Sequence, residues 1–127
     1  MIVVGIGCRR GSPAARIAEA VGDALAKAGI PVDRVDALAT PEFKEQEAGI
    51  VDAAARLGLP LRPVDRSRLD AVQPLCATRS ERVEAATGLG AVSEAAALAA
   101  AGRNATLVLT RIARGGVTCA VARGDGA

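Results

Sequence analysis

The 127-residue sequence has no histidine, no tryptophan and no tyrosine, and its single aromatic side chain is Phe43. The lack of histidine removes the commonest general base, the commonest metal ligand and the Ser-His and Cys-His nucleophile pairs. Chemistry here must use carboxylates, Lys, Arg, Cys or backbone. One aromatic gives base stacking almost no platform. Sixteen Lys+Arg against fourteen Asp+Glu leave only +2, too little for a broad basic field, so no nucleic-acid partner is expected. No uncharged apolar block of about 20 residues occurs, so no membrane span is expected. The opening MIVVGIGCRR runs apolar then basic, the reverse of a secretory leader, which predicts a cytoplasmic protein. Cys8, Cys76 and Cys119 lie far apart without a CxxC pair or neighbouring ligands; free thiols, no metal site and no cofactor are expected.

Half of the residues are hydrophobic and spread through the whole chain, consistent with one domain spanning residues 1–127. Residues 2–7 form an apolar, β-branched run, the pattern of a strand covered on both faces. Ser12-Pro13 then predicts a helix over 13–28, with apolar residues from Ala14 to Ala28 at three- and four-residue spacings and Gly29 as the stop. A second strand over 32–38, a break at Ala39-Thr40-Pro41 and a helix over 45–57 repeat the order, and residues 61–64 read as a short strand with Pro63 at an edge. Ser67 is expected to cap a single turn over 69–72, Ser80 a helix over 81–87, and Ser93 an alanine-rich helix over 94–101. Residues 106–112 and 116–122 flank Ala113-Arg114-Gly115 as a hairpin. The expected architecture is α/β: a three-layer α/β/α sandwich around a mixed, mostly parallel sheet of about five strands with a C-terminal hairpin.

Four segments could carry chemistry. Gly5-Ile6-Gly7-Cys8-Arg9-Arg10-Gly11-Ser12 is a glycine-rich passage from strand to helix, where free N–H groups and the helix dipole suit an anion and Arg9 and Arg10 add charge. Its GxGxxxG spacing is neither the dinucleotide fingerprint nor a phosphate-binding loop, and a tight turn with two solvated arginines explains it equally well. Thr40 and Lys44 lie in the next loop, which adjoins the first if the two strands are parallel. Thr78-Arg79-Ser80 with Gly88, Gly90 and Ser93 form the third segment. Helix capping is the plainer explanation of Thr40, Ser80 and Ser93. Arg111 and Arg114 beside Gly115-Gly116 form the fourth, with solvation as the default. Cys8, near a helix start and two arginines, is the one residue resembling an activated nucleophile, although a small buried side chain explains it more simply.

Gly5-Ile6-Gly7-Cys8-Arg9-Arg10-Gly11, the Thr40 to Lys44 loop, Gly88-Leu89-Gly90-Ala91-Val92-Ser93-Glu94 and Gly116-Val117-Thr118, taken in order, resemble the CobE/CbiG C-terminal family of cobalamin biosynthesis. The resemblance runs over essentially the whole chain, with Cys76 and Arg111 as departures from its pattern. It implies a role between the methylation steps of the corrin pathway, with a precorrin or corrin intermediate as partner and a pathway methyltransferase as a candidate docking partner. In the longer members it implies opening of the ring-A lactone of cobalt-precorrin-5A with release of acetaldehyde. The shorter members it describes as binders of an intermediate. The ligand-binding residues expected on both grounds are Gly7, Cys8, Arg9, Arg10, Gly11, Ser12, Thr40, Lys44, Gly88, Gly90 and Ser93. Three functions are weighed: a carrier; a hydrolase using Lys44, Glu42, Glu45 or Cys8 with backbone as oxyanion hole; and a subunit docking through its alanine-rich helices.

Overall fold

Valine and isoleucine dominate the run after Met1, and branched side chains pack well on a strand covered from both sides. In the computed structural model, which describes residues 1–44, 46–76 and 92–126, this run is strand β1, Ile2–Cys8. Helix α1, Ala14–Ala28, follows and buries Ala14, Ile17, Ala20, Val21, Ala24 and Leu25 along one stripe. Fully burying side chains such as Ile17 and Val21 contributes about 2 kcal/mol each. Gly29 closes the helix at φ 71°, a left-handed conformation that favours glycine. The start differs from expectation: Pro13 holds the cap position, and the Ser12 hydroxyl donates to the Arg9 carbonyl at 2.7 Å instead of capping the helix.

The second strand also differs. Val32–Arg34 forms a 3₁₀ turn after Pro31, and strand β2 is Ala37–Pro41. Its start is fixed by pairing rather than by propensity, since Asp36 clasps β1 with its N–H on the Ile2 carbonyl and its carboxylate on the Ile2 N–H, both at 2.8 Å. Ala39, Thr40 and Pro41 therefore end a strand rather than open a loop. A 3₁₀ turn, Glu42–Lys44, leads to helix α2, Ala48–Leu57, which ends at Gly58 with φ 68°. Strand β3, Leu61–Val64, lies at an edge as Pro63 requires, and helix α3, Arg66–Ala71, is capped by Asp65 rather than Ser67. Helix α4, Val92–Ala101, contains Ser93 instead of being capped by it. Strands β4, Thr106–Arg114, and β5, Val117–Arg123, complete the hairpin. Its tight turn is Gly115-Gly116, both at positive φ (57° and 83°), as a two-residue hairpin turn prefers. The helix expected over 81–87 lies outside the described residues.

The sheet order is β3-β2-β1-β5-β4, with β1-β2 and β2-β3 parallel and β1-β5 and β5-β4 antiparallel, so four of the five strands run the same way. Val4 and Ile6 face α1 and α2 in one apolar cluster, while Val3 faces α4 and Leu69 in the other. This is the expected three-layer α/β/α sandwich. Nine of the ten α4 residues, Ser93 to Ala101, are buried, so its alanines serve the core and offer no exposed docking face. No helix among the described residues is long and apolar enough to cross a membrane.

Candidate functional site

Because β1 and β2 are parallel, the segments that leave them open at the same edge of the sheet. After β1 the chain makes a four-residue turn, Arg9 to Ser12, closed by the Ser12 N–H on the Arg9 carbonyl at 3.2 Å. The third position of such a turn needs positive φ, and Gly11 supplies it at 78°. The turn leaves Arg9, Arg10 and Gly11 exposed directly before α1, whose first-turn amides have no partner within the helix. Arg9 is steadied from beneath: its N–H donates to the Gly116 carbonyl at 3.2 Å and its aliphatic stem crosses the Gly116 backbone. Gly49 in α2 is equally necessary, because a Cβ there would stand 2.0 Å from the Ser12 carbonyl oxygen.

Lys44 arrives from the turn after β2 and reaches Glu47 at 3.9 Å, and Glu47 accepts from the Gly11 N–H at 3.3 Å. One carboxylate thus ties the two loops together, with the Lys44 and Glu47 side chains only 24% and 16% exposed. Cys8 feels this pair. Burial pushes its thiol above the ordinary value, Lys44 lowers it, Glu47 raises it and a hydrogen bond with Ser12 lowers it, for a net upward shift. Of the two sequence readings, an activated thiol and the simpler small buried side chain, the second fits: desolvation outweighs the positive neighbour, and Cys8 stays protonated at neutral pH.

Three other expected residues sit differently. Thr40 is fully buried in β2 and spends its hydroxyl on the Ile6 carbonyl at 3.2 Å. Ser93 lies on the opposite face of the sheet from Cys8: its carbonyl packs against Gly5, where a Cβ would stand 1.9 Å away, and its fully buried hydroxyl has no hydrogen-bond partner among the described residues. Gly7 faces the same side, beside Thr118 and Val92. Gly88 and Gly90, with Thr78, Arg79, Ser80 and Glu45, lie outside the described residues. Arg114 is not merely solvated; it pairs with Asp23 and Glu19 of α1. Sequence reasoning missed Glu47, whose spacing of three from Lys44 was the available signal, and Phe43, which is 55% exposed next to Lys44. It also missed Glu94, fully buried in α4, which accepts from the Arg111 N–H at 2.8 Å.

This edge carries Arg9, Arg10 and the start of α1 on one loop and exposed Phe43 and Lys44 on the other, with Glu47 joining the loops and a protonated Cys8 close to Lys44. It suits carboxylates next to an apolar surface. Among the described residues no three His, Cys, Asp or Glu side chains gather as a metal site.

The chain matches the family model described as cobalamin synthesis G C-terminus over residues 2–122. It is 35% identical to protein CobE of Sinorhizobium sp. over 121 residues, covering 95% of this chain and 79% of that protein. It is 34% identical to the probable cobalt-precorrin-5A hydrolase of Methanocaldococcus jannaschii over 95% of this chain, but spans only 40% of that protein's length. The crystal structure of CobE, described as a protein from the cobalamin (vitamin B12) biosynthetic pathway, superposes with a TM-score of 0.92 at 30% identity, covering 100% of this chain and 92% of that one.

Proposed function

The chain belongs to the cobalamin synthesis G C-terminus family, and from that premise we propose that it binds a precorrin-type tetrapyrrole as a non-catalytic carrier. The supporting observation is the convergence of Arg9, Arg10, Lys44 and the α1 start on one sheet edge beside exposed Phe43. A precorrin presents acetate and propionate carboxylates around a flat apolar ring. Guanidinium and ammonium groups bind those carboxylates by charge-assisted hydrogen bonds, and Phe43 offers the ring a flat contact. The protonated Cys8 fits holding better than nucleophilic attack.

Titration with a late pathway intermediate should saturate, with a shift in its absorption spectrum. Replacing Arg9 and Arg10 together by Ala should weaken binding about tenfold or more, since a charged contact of this kind is worth roughly 1.5–3 kcal/mol. Unchanged affinity in that double variant would contradict the assignment of the edge.

A hydrolase reading is favoured by one observation, the 34% identity to a probable cobalt-precorrin-5A hydrolase. It requires turnover of a purified lactone intermediate by this chain alone, lost in Lys44→Ala. Turnover that survives Lys44→Ala would remove Lys44 from that chemistry.

A further inference from the structure

Glu47 occupies the residue position that caps α2, yet its side chain makes no capping bond to that helix. It turns the other way, to the Gly11 N–H at 3.3 Å and the Lys44 ammonium at 3.9 Å. A carboxylate is thus already seated between a backbone donor and a cation at the proposed binding edge, drawn largely out of water at 16% side-chain exposure. Both contacts are at the long end of their range, whereas an unstrained charge-assisted hydrogen bond closes to roughly 2.7–2.9 Å. We propose that Glu47 is an internal stand-in for a ligand carboxylate and that an entering polycarboxylate displaces it from Gly11 and Lys44.

This rests on the carrier reading and adds a basis for selectivity. Exchanging Glu47 for one ligand carboxylate swaps like for like and yields little net affinity. Only a ligand with further carboxylates, able to reach Arg9 and Arg10 as well, gains from the exchange. The exchange costs every ligand about the same, so only rings with enough carboxylates to reach Arg9 and Arg10 as well bind appreciably.

The test uses two probes, a porphyrin with eight carboxylates and one with two, titrated by absorbance against the full chain. Glu47→Ala should tighten binding of both the dicarboxylate and the octacarboxylate about fivefold, the equivalent of the roughly 1 kcal/mol a part-exposed ion pair is worth. Glu47→Gln, which keeps the side-chain size, should show the same direction more weakly. Asp52→Asn, removing an exposed charge elsewhere on α2, should change neither affinity. If the wild-type chain binds the octacarboxylate but both Glu47 variants bind the probes equally or more weakly, Glu47 is a structural latch and this inference fails while the carrier reading stands. Tightening by Asp52→Asn to the same extent would reduce the effect to net charge and overturn the inference too. If wild type binds neither probe, the carrier reading itself fails and takes the inference with it.

Discussion

A thiol that precedes two arginines and a helix start in the sequence ought, by charge alone, to ionise easily, and in this protein Cys8 does not. Burial raises it more than Lys44 and Ser12 lower it. Cys119 is the more extreme case, fully buried and pushed up to about 12 mainly by desolvation, with Cys8 and Asp23 adding to the rise. The sign follows directly. The unfolded chain releases this proton at the ordinary 9.0 while the folded chain holds it to about 12. Stability is therefore complete below about pH 9 and lost as pH rises beyond it, by up to about 1.4 kcal/mol per pH unit per thiol. Urea midpoints measured from pH 8 to about 11 should fall less steeply in Cys119→Ala than in wild type, whatever constant amount the smaller side chain costs. Parallel pH profiles would contradict the burial argument. For Cys8, alkylation at pH 8 should be slower than for an unfolded-chain thiol, and Lys44→Ala, by removing the cation that favours the thiolate, should slow it further.

At the scale of elements, what the sequence made legible was local and what it hid was tertiary. Gly29 and Gly58 announced their helix ends because a left-handed residue suits glycine; the hairpin was also legible, but its turn is Gly115-Gly116 rather than Ala113-Arg114-Gly115, since Ala113 and Arg114 stay paired in β4. Val32 and Val35 misled because branching favours strands, whereas the start of β2 depends on Asp36 clasping Ile2 some 34 residues earlier. Ser12, Ser67 and Ser93 were all read as caps; Asp65 caps in place of Ser67, and Ser12 is spent within its own turn. The turn after β1 was legible from Gly11, Arg9 and Arg10. The tie that Glu47 makes to it was not, because its partner Gly11 is 36 residues distant.

Helix α4 packs closely on β1 at Gly5. A Cβ at Gly5 would stand 1.9 Å from the Ser93 carbonyl oxygen and 2.7 Å from the Ala97 nitrogen, backbone atoms that move only if the helix moves. Gly5→Ala should cost about 2–3 kcal/mol in chemical denaturation. Gly22→Ala, in the middle of α1 with open space around it, should instead stabilise by about 0.5–1 kcal/mol. Glu94 ties the same helix to β4. The register of β4 against β5 shifts between Leu109 and Ile112, and the Arg111 N–H in that stretch is met by the Glu94 carboxylate from α4. Glu94→Ala should cost about 2 kcal/mol by leaving that donor without its acceptor, and Glu94→Gln clearly less, since an amide oxygen can still accept.

For the whole molecule, the topology explains why one edge gathers the charge. Two parallel strands deliver two loops to one side, and the β4-β5 hairpin brings its glycine turn up beneath Arg9. The family to which the chain belongs, cobalamin synthesis G C-terminus, places it in cobalamin biosynthesis. The chain spans 79% of its CobE relative but 40% of a longer relative named as a probable cobalt-precorrin-5A hydrolase. The most direct measurement incubates the purified chain with a late precorrin intermediate and follows the absorption spectrum and the ligand's mass together. Saturable binding with an unchanged mass is the predicted result; loss of a two-carbon fragment, or no binding at all, would contradict it.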